Sequence, residues 1–566
     1  PLLSETSWMP EPPAAQCTLG QSNFGIWLEP VYQLALDFTT LYELRDTLDP
    51  LSLRASEIDD ALMAATCCID LELPEDRLLE TIQQGRRLLA PVLACKNGST
   101  SPTLHAFGHA HIDVAWLWPL QETERKMART VANQLALADE YPEYRFLQSQ
   151  PQLYLMLKNH YPELYQRLKN AVRQNQFIPD GMMWVEADTN ISSGESLIRQ
   201  ILHGRKFFED EFGINSQVLW LPDVFGYSGA VPQILRGCGC IGFATQKITW
   251  AYNGGEPFPY NTFLWEGIDG TTIPAHIFTD YNSETSPRAI AQRWNTRLQK
   301  NGIRSLLLSF GWGDGGGGPT SDHIEYIRRT RDLEGLPRVE LSSPAAFFNI
   351  LALNGSLSPR YVGELYFQAH RGTYTSQART KQGNRYGEFA LREAELWATA
   401  ASALGKFKFT ARTLDSAWQA LLTNQFHDIL PGSSIQRVYQ EAEAAYQDLI
   451  HTAQLLARQA VQGLTHPAEA VTIFNSLSWP RQVLVETPDG SAEITVPACG
   501  WKTVPLAELA HSEQPDETRR VSTTPHSLEN HLLHAEFNDR GEITRLFDKQ
   551  SQRDFAAGPL NRFCLY

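Results

Sequence analysis

Short apolar runs alternate with helical patterns from Thr103 to about Ser343, and this alternation constrains the fold more than any other feature of the sequence. Such a series is typical of strands and helices arranged around a mainly parallel sheet. The runs that we interpret as strands are residues 104–112, 177–178, 218–221, 242–245 and 305–310. We therefore expect an α/β domain over residues 103–374.

Three further regions flank this α/β domain. Residues 1–102 combine Pro-rich stretches with amphipathic helical patterns, and residues 375–466 are helical almost throughout, which predicts a three-helix bundle. In residues 467–566 alternating strands indicate the start of a C-terminal β-sandwich, which we expect to be incomplete in this chain. The sequence thus predicts a multidomain α/β protein.

Charge and hydrophobicity argue against two classes of partner. The 48 Lys and Arg residues are outnumbered by 64 Asp and Glu residues, and the net charge of −16 would repel a phosphate backbone. We therefore expect no nucleic-acid partner, and no membrane partner either, because no segment reaches about 18 consecutive apolar residues. The eight cysteines have neither disulfide-framework nor zinc-finger spacing, which favours a reducing compartment.

Three of the expected strands each lead to an aspartate. His111 and Asp113 come at the end of the first strand, on the face that alternate residues share, while Asp223 follows the third strand. Asp314 follows the fifth strand within a glycine-rich loop. Ligands of open α/β sheets bind at the carboxyl ends of the strands, so we expect these side chains to meet at one rim.

A group of carboxylates at one rim needs a compensating charge. Carboxylates without a counter-charge repel one another. Because an imidazole lies beside them, a bound divalent metal ion is the simplest way to neutralise the group, and zinc suits mixed His and Asp ligands. Each aspartate taken singly could instead cap a helix, and the loop around Asp314 could be a flexible turn. The glycine run lacks the Gly-Lys-Ser/Thr of a phosphate-binding loop.

Two other features of the sequence bear on a ligand. His427 and Asp428 follow a helical pattern over residues 414–426, where a lone His usually caps the helix end. Aromatic residues, among them Trp116 and Phe225, flank the acidic positions. Sugar rings stack on aromatic faces and their hydroxyls bond to carboxylates, so the combination suits a carbohydrate, although core packing explains many of the aromatics equally well.

Seven sequence blocks between residues 108 and 481 can be compared with known families. They are GHAHIDVAWLWP (108–119), WVEADTN (184–190), WLPDVFGYS (220–228), GWGDGGGGP (311–319), GELY (363–366), NQFHD (424–428) and FNSLSWPR (474–481). In this order they resemble the signatures of glycoside hydrolase family 38 α-mannosidases. The residues of these blocks are most similar to those of the cytosolic and vacuolar branch of the family, which implies a cytoplasmic enzyme.

The resemblance implies a retaining α-mannosidase that removes terminal α-mannose residues from oligosaccharides. It implies one zinc ion per active site, held by His111, Asp113, Asp223 and His427, with cobalt as an alternative metal. Asp223 would also be the nucleophile and Asp314 the acid/base, at a carboxyl separation of about 5–5.5 Å.

The resemblance also implies contacts with the sugar. Trp116 matches the ring that stacks under the bound mannose, and the family's further sugar contacts correspond to Phe225 and Asp428. Lys247 corresponds to a basic residue near the nucleophile. The sequence departs from the family at two places. Met182-Met183 stands where glycines are common, and Gln368 stands where a glutamate is common. These departures concern the preference for particular sugar subsites.

Two other functions compete with this interpretation. A zinc-dependent carbohydrate deacetylase would use the same kind of rim site to activate water, but it has no use for a covalent aspartate. A catalytically silent glycan-binding protein would not need all four metal positions and both carboxylates. The sequence leaves the linkage preference and a homo-oligomer open.

Overall fold

The computed structural model describes residues 24–250, 256–353, 359–409, 411–465, 469–487, 490–509 and 520–562. The chain divides into two compact units. The first comprises Pro1–Arg392 with Thr410–Gln454, and the second comprises Glu393–Phe409 with Leu455–Tyr566. The domain boundaries expected at residues 102, 374 and 466 stay predictions.

Three helices form the N-terminal part of the first unit. They are α1 (Glu29–Thr47), α2 (Leu53–Cys68) and α3 (Glu75–Leu93). Their apolar faces are buried, and Ser52 caps α2 by accepting a hydrogen bond from the Ala55 amide. On α1 the buried Asp37 accepts a hydrogen bond of 2.8 Å from Arg86 and another of 2.8 Å from Arg329. This carboxylate therefore ties α1 to two other helices.

The α/β part of the first unit contains ten strands among the described residues. These are β1 (Thr103–His109), β2 (Phe146–Gln148), β3 (Phe177–Pro179), β4 (Val218–Trp220), β5 (Gly242–Thr245), β6 (Thr262–Glu266), β7 (Thr272–Ile277), β8 (Ser305–Phe310), β9 (Arg338–Leu341) and β10 (Arg360–Val362). The intervening helices are α4 (Leu120–Glu140), α5 (Pro151–His160), α6 (Pro162–Arg173), α7 (Gly194–Phe212), α8 (Val231–Gly237), α9 (Pro287–Asn295), α10 (Ser321–Thr330) and α11 (Pro344–Leu353). Short 3₁₀ helices lie at Lys247–Thr249 and Gln368–Tyr374.

These strands form two sheets. The first has the order β3-β2-β1-β8, with β9 also paired to β1, and all its pairings are parallel. The second has the order β10-β6-β7-β5-β4, and only β6 and β7 pair antiparallel. The mainly parallel α/β fold is confirmed, and the strands are divided between two sheets of five.

The two sheets share a hydrophobic core. Phe107 of β1 meets Trp220 of β4 edge to face, with ring centroids 5.5 Å apart. Trp220 in turn stacks on Phe278, with centroids 4.6 Å apart. Parallel strands are buried on both faces, which explains their nearly continuous apolar sequences. This packing places the carboxyl ends of β1 and β4 close together.

Strand β1 is shorter than the sequence predicts. It ends at His109, so His111 and Asp113 lie in the loop that follows and not on a strand face. The reason is the hydrogen bonding of the next residues. The His111 carbonyl accepts a bond from the Gly315 amide, and the Ile112 carbonyl accepts one from the Gln150 side chain. These partners replace the ladder of a neighbouring strand.

Three helices follow the α/β part, as expected for the bundle. They are α12 (Ala378–Ala403), α13 (Ala411–Thr423) and α14 (Gln436–Leu464). Helix α13 ends at Thr423, three residues before the predicted end, because Phe426 forms an antiparallel bridge with Ala187. His427 therefore lies in a loop and not at the end of a helix.

The second unit contains the C-terminal strands. These are β11 (Ala470–Asn475), β12 (Arg481–Thr487), β13 (Gly490–Val496), β14 (Gly500–Pro505), β15 (Ser522–Thr524), β16 (Ser527–Glu529), β17 (Leu533–Phe537), β18 (Ile543–Asp548) and β19 (Arg553–Asp554), with α15 at Leu506–Leu509. All their pairings are antiparallel. Ile473, Val485 and Ile494 pack together between the β11-β14 and β12-β13 pairs, as in a β-sandwich.

Two general features of the described residues remain. Across these ranges no helix is both long and apolar enough to cross a bilayer. The six cysteines in these ranges, Cys67, Cys68, Cys95, Cys238, Cys240 and Cys499, are all free thiols.

Candidate active site and metal site

Two imidazoles and one carboxylate meet just beyond the end of β1. Asp113 Oδ1 lies 2.9 Å from His111 Nε2 and 3.4 Å from His427 Nε2. The two rings stack nearly parallel, with centroids 5.5 Å apart at 20°. One ligand atom from each of the three side chains lies within 4.8 Å of the others, and all three residues are buried. Three of the four predicted metal ligands are thus brought together.

A loop after α13 carries His427 to this place. The Glu186 carbonyl accepts a hydrogen bond from the His427 amide at 3.2 Å and lies 2.9 Å from His427 Nδ1. The Asp188 amide donates to the Gln425 carbonyl at 2.9 Å. This short antiparallel pairing joins residues more than 230 positions apart in the sequence. It explains why helical periodicity alone could not place His427 at the site.

The donor set fits a divalent metal ion. His427 Nε2 is buried and has no hydrogen-bond partner within the described structure, although it faces the Asp113 carboxylate. A buried polar atom without a partner is costly, and coordination of a cation would satisfy it. Imidazole nitrogens and carboxylate oxygens are the usual non-sulfur ligands of zinc. The three residues therefore form a group that could hold a metal ion.

Asp223 lies beside this cluster, three residues after the end of β4. Its Oδ2 atom is 3.9 Å from His427 Nε2, and its Oδ1 atom accepts a hydrogen bond of 2.7 Å from Lys247 Nζ. The Lys247 ammonium also lies 3.7 Å from the centroid of the Trp250 ring. One oxygen of Asp223 thus faces the imidazole, while the other is held by a buried cation.

Asp314 reaches the site from the glycine-rich loop after β8. Its φ of 48° is left-handed, a conformation that the glycines around it tolerate more easily than the aspartate does. The Tyr281 hydroxyl donates to Asp314 Oδ1 at 3.1 Å. The residue as a whole is exposed, yet its carboxyl group is desolvated by the protein around it. This desolvation, with the charge of Asp113 next in importance, raises the pKa of Asp314 to about 6.

Asp428 is a further buried carboxyl group next to the cluster. Its Oδ2 atom lies 3.6 Å from His427 Nε2, and its Oδ1 atom accepts a hydrogen bond from Ser433. Burial, followed by the charge of Asp113, raises the pKa of Asp428 to about 7. Near neutral pH this group can therefore donate a hydrogen bond as an acid or accept one as a carboxylate.

The two imidazoles and Asp113 share charge. Burial opposes protonation of both rings, but the close approach of Asp113 and the charges of the neighbouring carboxylates outweigh it for His427 and raise its pKa to about 9. The pKa of His111 is raised as well. Burial would raise the pKa of Asp113, but the histidines hold it below its ordinary range. A cation bound here would take the place of these protons.

Two aromatic residues that the sequence predicts to contact the sugar, Trp116 and Phe225, differ in how they relate to the cluster. Trp116 is half-buried, and its carbonyl accepts a hydrogen bond of 2.9 Å from the Ile435 amide, beyond the His427 loop. The Phe225 ring lies 5.8 Å from the His427 ring and 4.7 Å from the His370 ring. The Phe225 ring is therefore close to the cluster, while the Trp116 backbone is tied to the segment that follows the His427 loop.

The sequence interpretation missed three residues of this site, Glu186, Tyr281 and His370. Glu186 lies within the block at 184–190, so its position could have been noticed. Tyr281 follows β7 without a distinctive pattern, and only its hydrogen bond to Asp314 reveals it. His370 lies in a 3₁₀ helix and meets Phe225 from the side.

Relatives of known identity match most of this chain. Human α-mannosidase 2C1 is 35% identical over 98% of the chain, which corresponds to 54% of the human protein. Yeast α-mannosidase is 38% identical over 67% of the chain and 36% of the yeast protein. Dictyostelium α-mannosidase G is 43% identical over 65% of the chain and 34% of that protein. The chain thus spans about half the length of the human relative and about a third of the length of the yeast and Dictyostelium relatives.

A solved structure has the same fold. An α-mannosidase from Enterococcus faecalis superposes with a TM-score of 0.66 at 18% identity, covering 80% of this chain and 61% of that one. Two family models match the sequence. Residues 101–364 match the glycosyl hydrolases family 38 N-terminal domain, and residues 368–464 match the α-mannosidase middle domain. The chain belongs to glycosyl hydrolase family 38.

Proposed function

We propose that this chain carries the active site of an exo-acting α-mannosidase that removes terminal α-mannose residues from oligosaccharides. The observation that carries the proposal is the meeting of Asp223 and Asp314 with the His111–Asp113–His427 cluster, because the two carboxyl groups have different environments. Asp223 pairs with a buried lysine, while the carboxyl of Asp314 has a raised pKa. Two carboxyl groups whose environments give them different acid–base roles are typical of glycosidases.

In this mechanism Asp223 is the nucleophile. The ion pair with Lys247 holds one of its oxygens, which leaves the other directed towards the cluster. Asp223 attacks the anomeric carbon and forms a mannosyl ester while Asp314 transfers its proton to the glycosidic oxygen. Water then hydrolyses the ester with Asp314 as the base, and the two displacements retain the α configuration.

The metal of this proposal is zinc, held by His111, Asp113, Asp223 and His427, with cobalt as the alternative. When bound, the ion would act as a Lewis acid and template for the O2 and O3 hydroxyls of the mannose. The chain's own residues orient the sugar from the other sides. Trp116 and Phe225 offer rings to its C–H faces, while Asp428 and Lys247 supply hydrogen bonds to hydroxyls.

Trapping of the covalent intermediate tests this proposal. A mannose-configured fluorosugar with a good leaving group should label the chain, and peptide mapping should place the label on Asp223. The Asp223→Asn variant should take no label. Mannose release without any label on Asp223 would overturn the retaining mechanism.

The runner-up function is a zinc-dependent deacetylase. The named relatives are mannosidases, which does not favour it. Release of acetate from an acetylated sugar, with no release of mannose from linkage-defined mannobioses, would favour the deacetylase. Assays of the same mannobioses with and without a chelator would reveal the preferred linkage.

The cellular setting belongs to the same proposal. We place the enzyme in the cytoplasm, in agreement with the six free thiols in the described ranges. Fractionation of cells that express the full-length protein tests this location, and recovery with secreted or organellar markers would contradict it. An α-mannoside is the only partner the proposal requires, and a homo-oligomer stays a prediction.

A further inference from the structure

Glu186 contacts both histidines of the cluster, one through its side chain and the other through its backbone. Its Oε2 atom lies 3.2 Å from His111 Nδ1, and its carbonyl oxygen lies 2.9 Å from His427 Nδ1. In each ring the opposite nitrogen, Nε2, faces Asp113. One residue thus faces the outer nitrogen of both imidazoles, with a charged oxygen 3.2 Å from His111 Nδ1 and a carbonyl oxygen in hydrogen-bond contact with His427 Nδ1.

The Glu186 side chain is itself fixed from the opposite direction. Its Oε1 atom accepts a hydrogen bond of 2.7 Å from the Ser149 hydroxyl, and its amide donates to Gln150 Oε1 at 3.1 Å. The residue is only 2% exposed, and its Oε2 atom has no hydrogen-bond donor within the described structure. Solvent therefore does not screen the carboxylate from the His111 ring.

A carboxylate in this position has a defined effect on a metal ligand. A negative charge next to Nδ1 favours a proton on that atom, so that the lone pair of the neutral imidazole is on Nε2. The Glu186 carbonyl has the same effect on His427. A carbonyl oxygen can only accept a hydrogen bond, so the proton of the neutral ring lies on His427 Nδ1 and the lone pair on Nε2. Partners of this kind orient metal-binding histidines and make them better ligands.

We propose that Glu186 is a positioning residue that presents Nε2 of both His111 and His427 to the metal ion, an inference that rests on the metal site of the proposed function. The two histidines come from segments more than 300 residues apart. The segment around Glu186 links them, since it pairs with the His427 loop and reaches the His111 ring from the same residue.

The Glu186→Gln variant tests the proposal, because it keeps the size of the side chain and removes its charge. Zinc affinity is measured by competition with a chromophoric chelator, and we expect it to fall about 10- to 100-fold. The visible spectrum of the cobalt-loaded chain should change as well. The unfolding temperature of the metal-free variant is measured in parallel, to separate metal binding from folding.

Glu325→Gln is the matched control. Glu325 is also buried, but its carboxylate pairs with Arg329 at 2.7 Å and is not among the neighbours of either histidine. This variant should bind zinc with the wild-type affinity even if it unfolds at a lower temperature. Wild-type zinc affinity in a folded Glu186→Gln variant overturns the proposal, whereas a wild-type chain that binds no zinc overturns the proposed metal site instead.

A second variant decides the matter if Glu186→Gln does not fold. Ser149→Ala removes only the hydroxyl that holds Glu186 Oε1 and keeps the Glu186 carboxylate. We expect zinc affinity to fall several-fold, because the carboxylate is less firmly fixed. Unchanged affinity in a folded Ser149→Ala variant, with Glu186→Gln unfolded, also overturns the proposal.

Discussion

Lys247 Nζ lies 2.7 Å from Asp223 Oδ1, and both side chains are largely buried. Removing one partner of such a pair leaves an uncompensated charge in the interior. We therefore expect Lys247→Met to lower the free energy of unfolding by about 3 kcal/mol and to reduce kcat/KM. Urea unfolding and steady-state kinetics measure the two effects. Lys206→Met breaks the exposed pair with Asp210, which solvent screens, and should change the free energy of unfolding far less. Equal losses would contradict the role of burial.

Asp314→Asn removes the proposed acid/base. With an unactivated mannobiose we expect kcat/KM to fall about 10²- to 10⁴-fold, because the leaving oxygen then departs without a proton. With a nitrophenyl mannoside the first step needs little protonation, so its rate should fall far less. Asp332→Asn, which only disturbs the pair with Arg338, serves as the control. Equal losses with both substrates would exclude Asp314 as the acid.

The pH dependence follows from the raised pKa of Asp314. The acid must be protonated in the free enzyme, so kcat/KM should decline as the pH rises through about 6. For stability, the folded chain binds this proton more tightly than the unfolded chain does. The contribution is complete below about pH 4 and is lost as the pH rises towards 6, and it is small because the residue is exposed and solvent screens its charge. A pH–rate profile without an alkaline decline near this value would contradict the assignment.

Removal of the metal should affect both activity and stability. A ligand that binds only the folded chain stabilises it, by about 2.7 kcal/mol at a free concentration of 100 times Kd. Dialysis against a chelator should therefore abolish mannose release and lower the unfolding temperature, and added zinc should restore both. In His427→Ala zinc should have much less effect on either measurement. An unchanged unfolding temperature of the wild type after chelation would contradict the metal site.

A substitution at Gly204 tests the packing of α7 on the segment that precedes Glu186. A Cβ atom at this position would lie 2.0 Å from the Met182 carbonyl oxygen, which is backbone and cannot move easily. Gly204→Ala should therefore destabilise the chain, although Ala in a helix normally gains about 0.5–1 kcal/mol over Gly. Gly237→Ala in α8 meets nothing within 4 Å and should be neutral or stabilising. Thermal unfolding of both variants measures the difference, and the same sign for both would contradict this packing.

Much of the fold could be predicted from local patterns. The parallel strands, the three helices of the middle region and the C-terminal strands are present because apolar periodicity reflects which face of each element is buried. The ends of elements were less accurate. Strand β1 stops at His109 and helix α13 at Thr423, because hydrogen bonds to distant segments replace those of the regular element.

The sequence by itself determined that His111, Asp113, Asp223 and Asp314 lie at the carboxyl ends of strands, since the chain direction of a parallel strand decides which rim its last residues reach. Only the tertiary structure decided which side chains meet. The packing of Phe107 on Trp220 brings the two sheets together, and the pairing of Ala187 with Phe426 brings His427 to Asp113. These contacts join residues far apart in the chain, and no local periodicity records them. The same is true of Glu186, whose side chain meets His111 and whose backbone carbonyl meets His427 only in the folded chain.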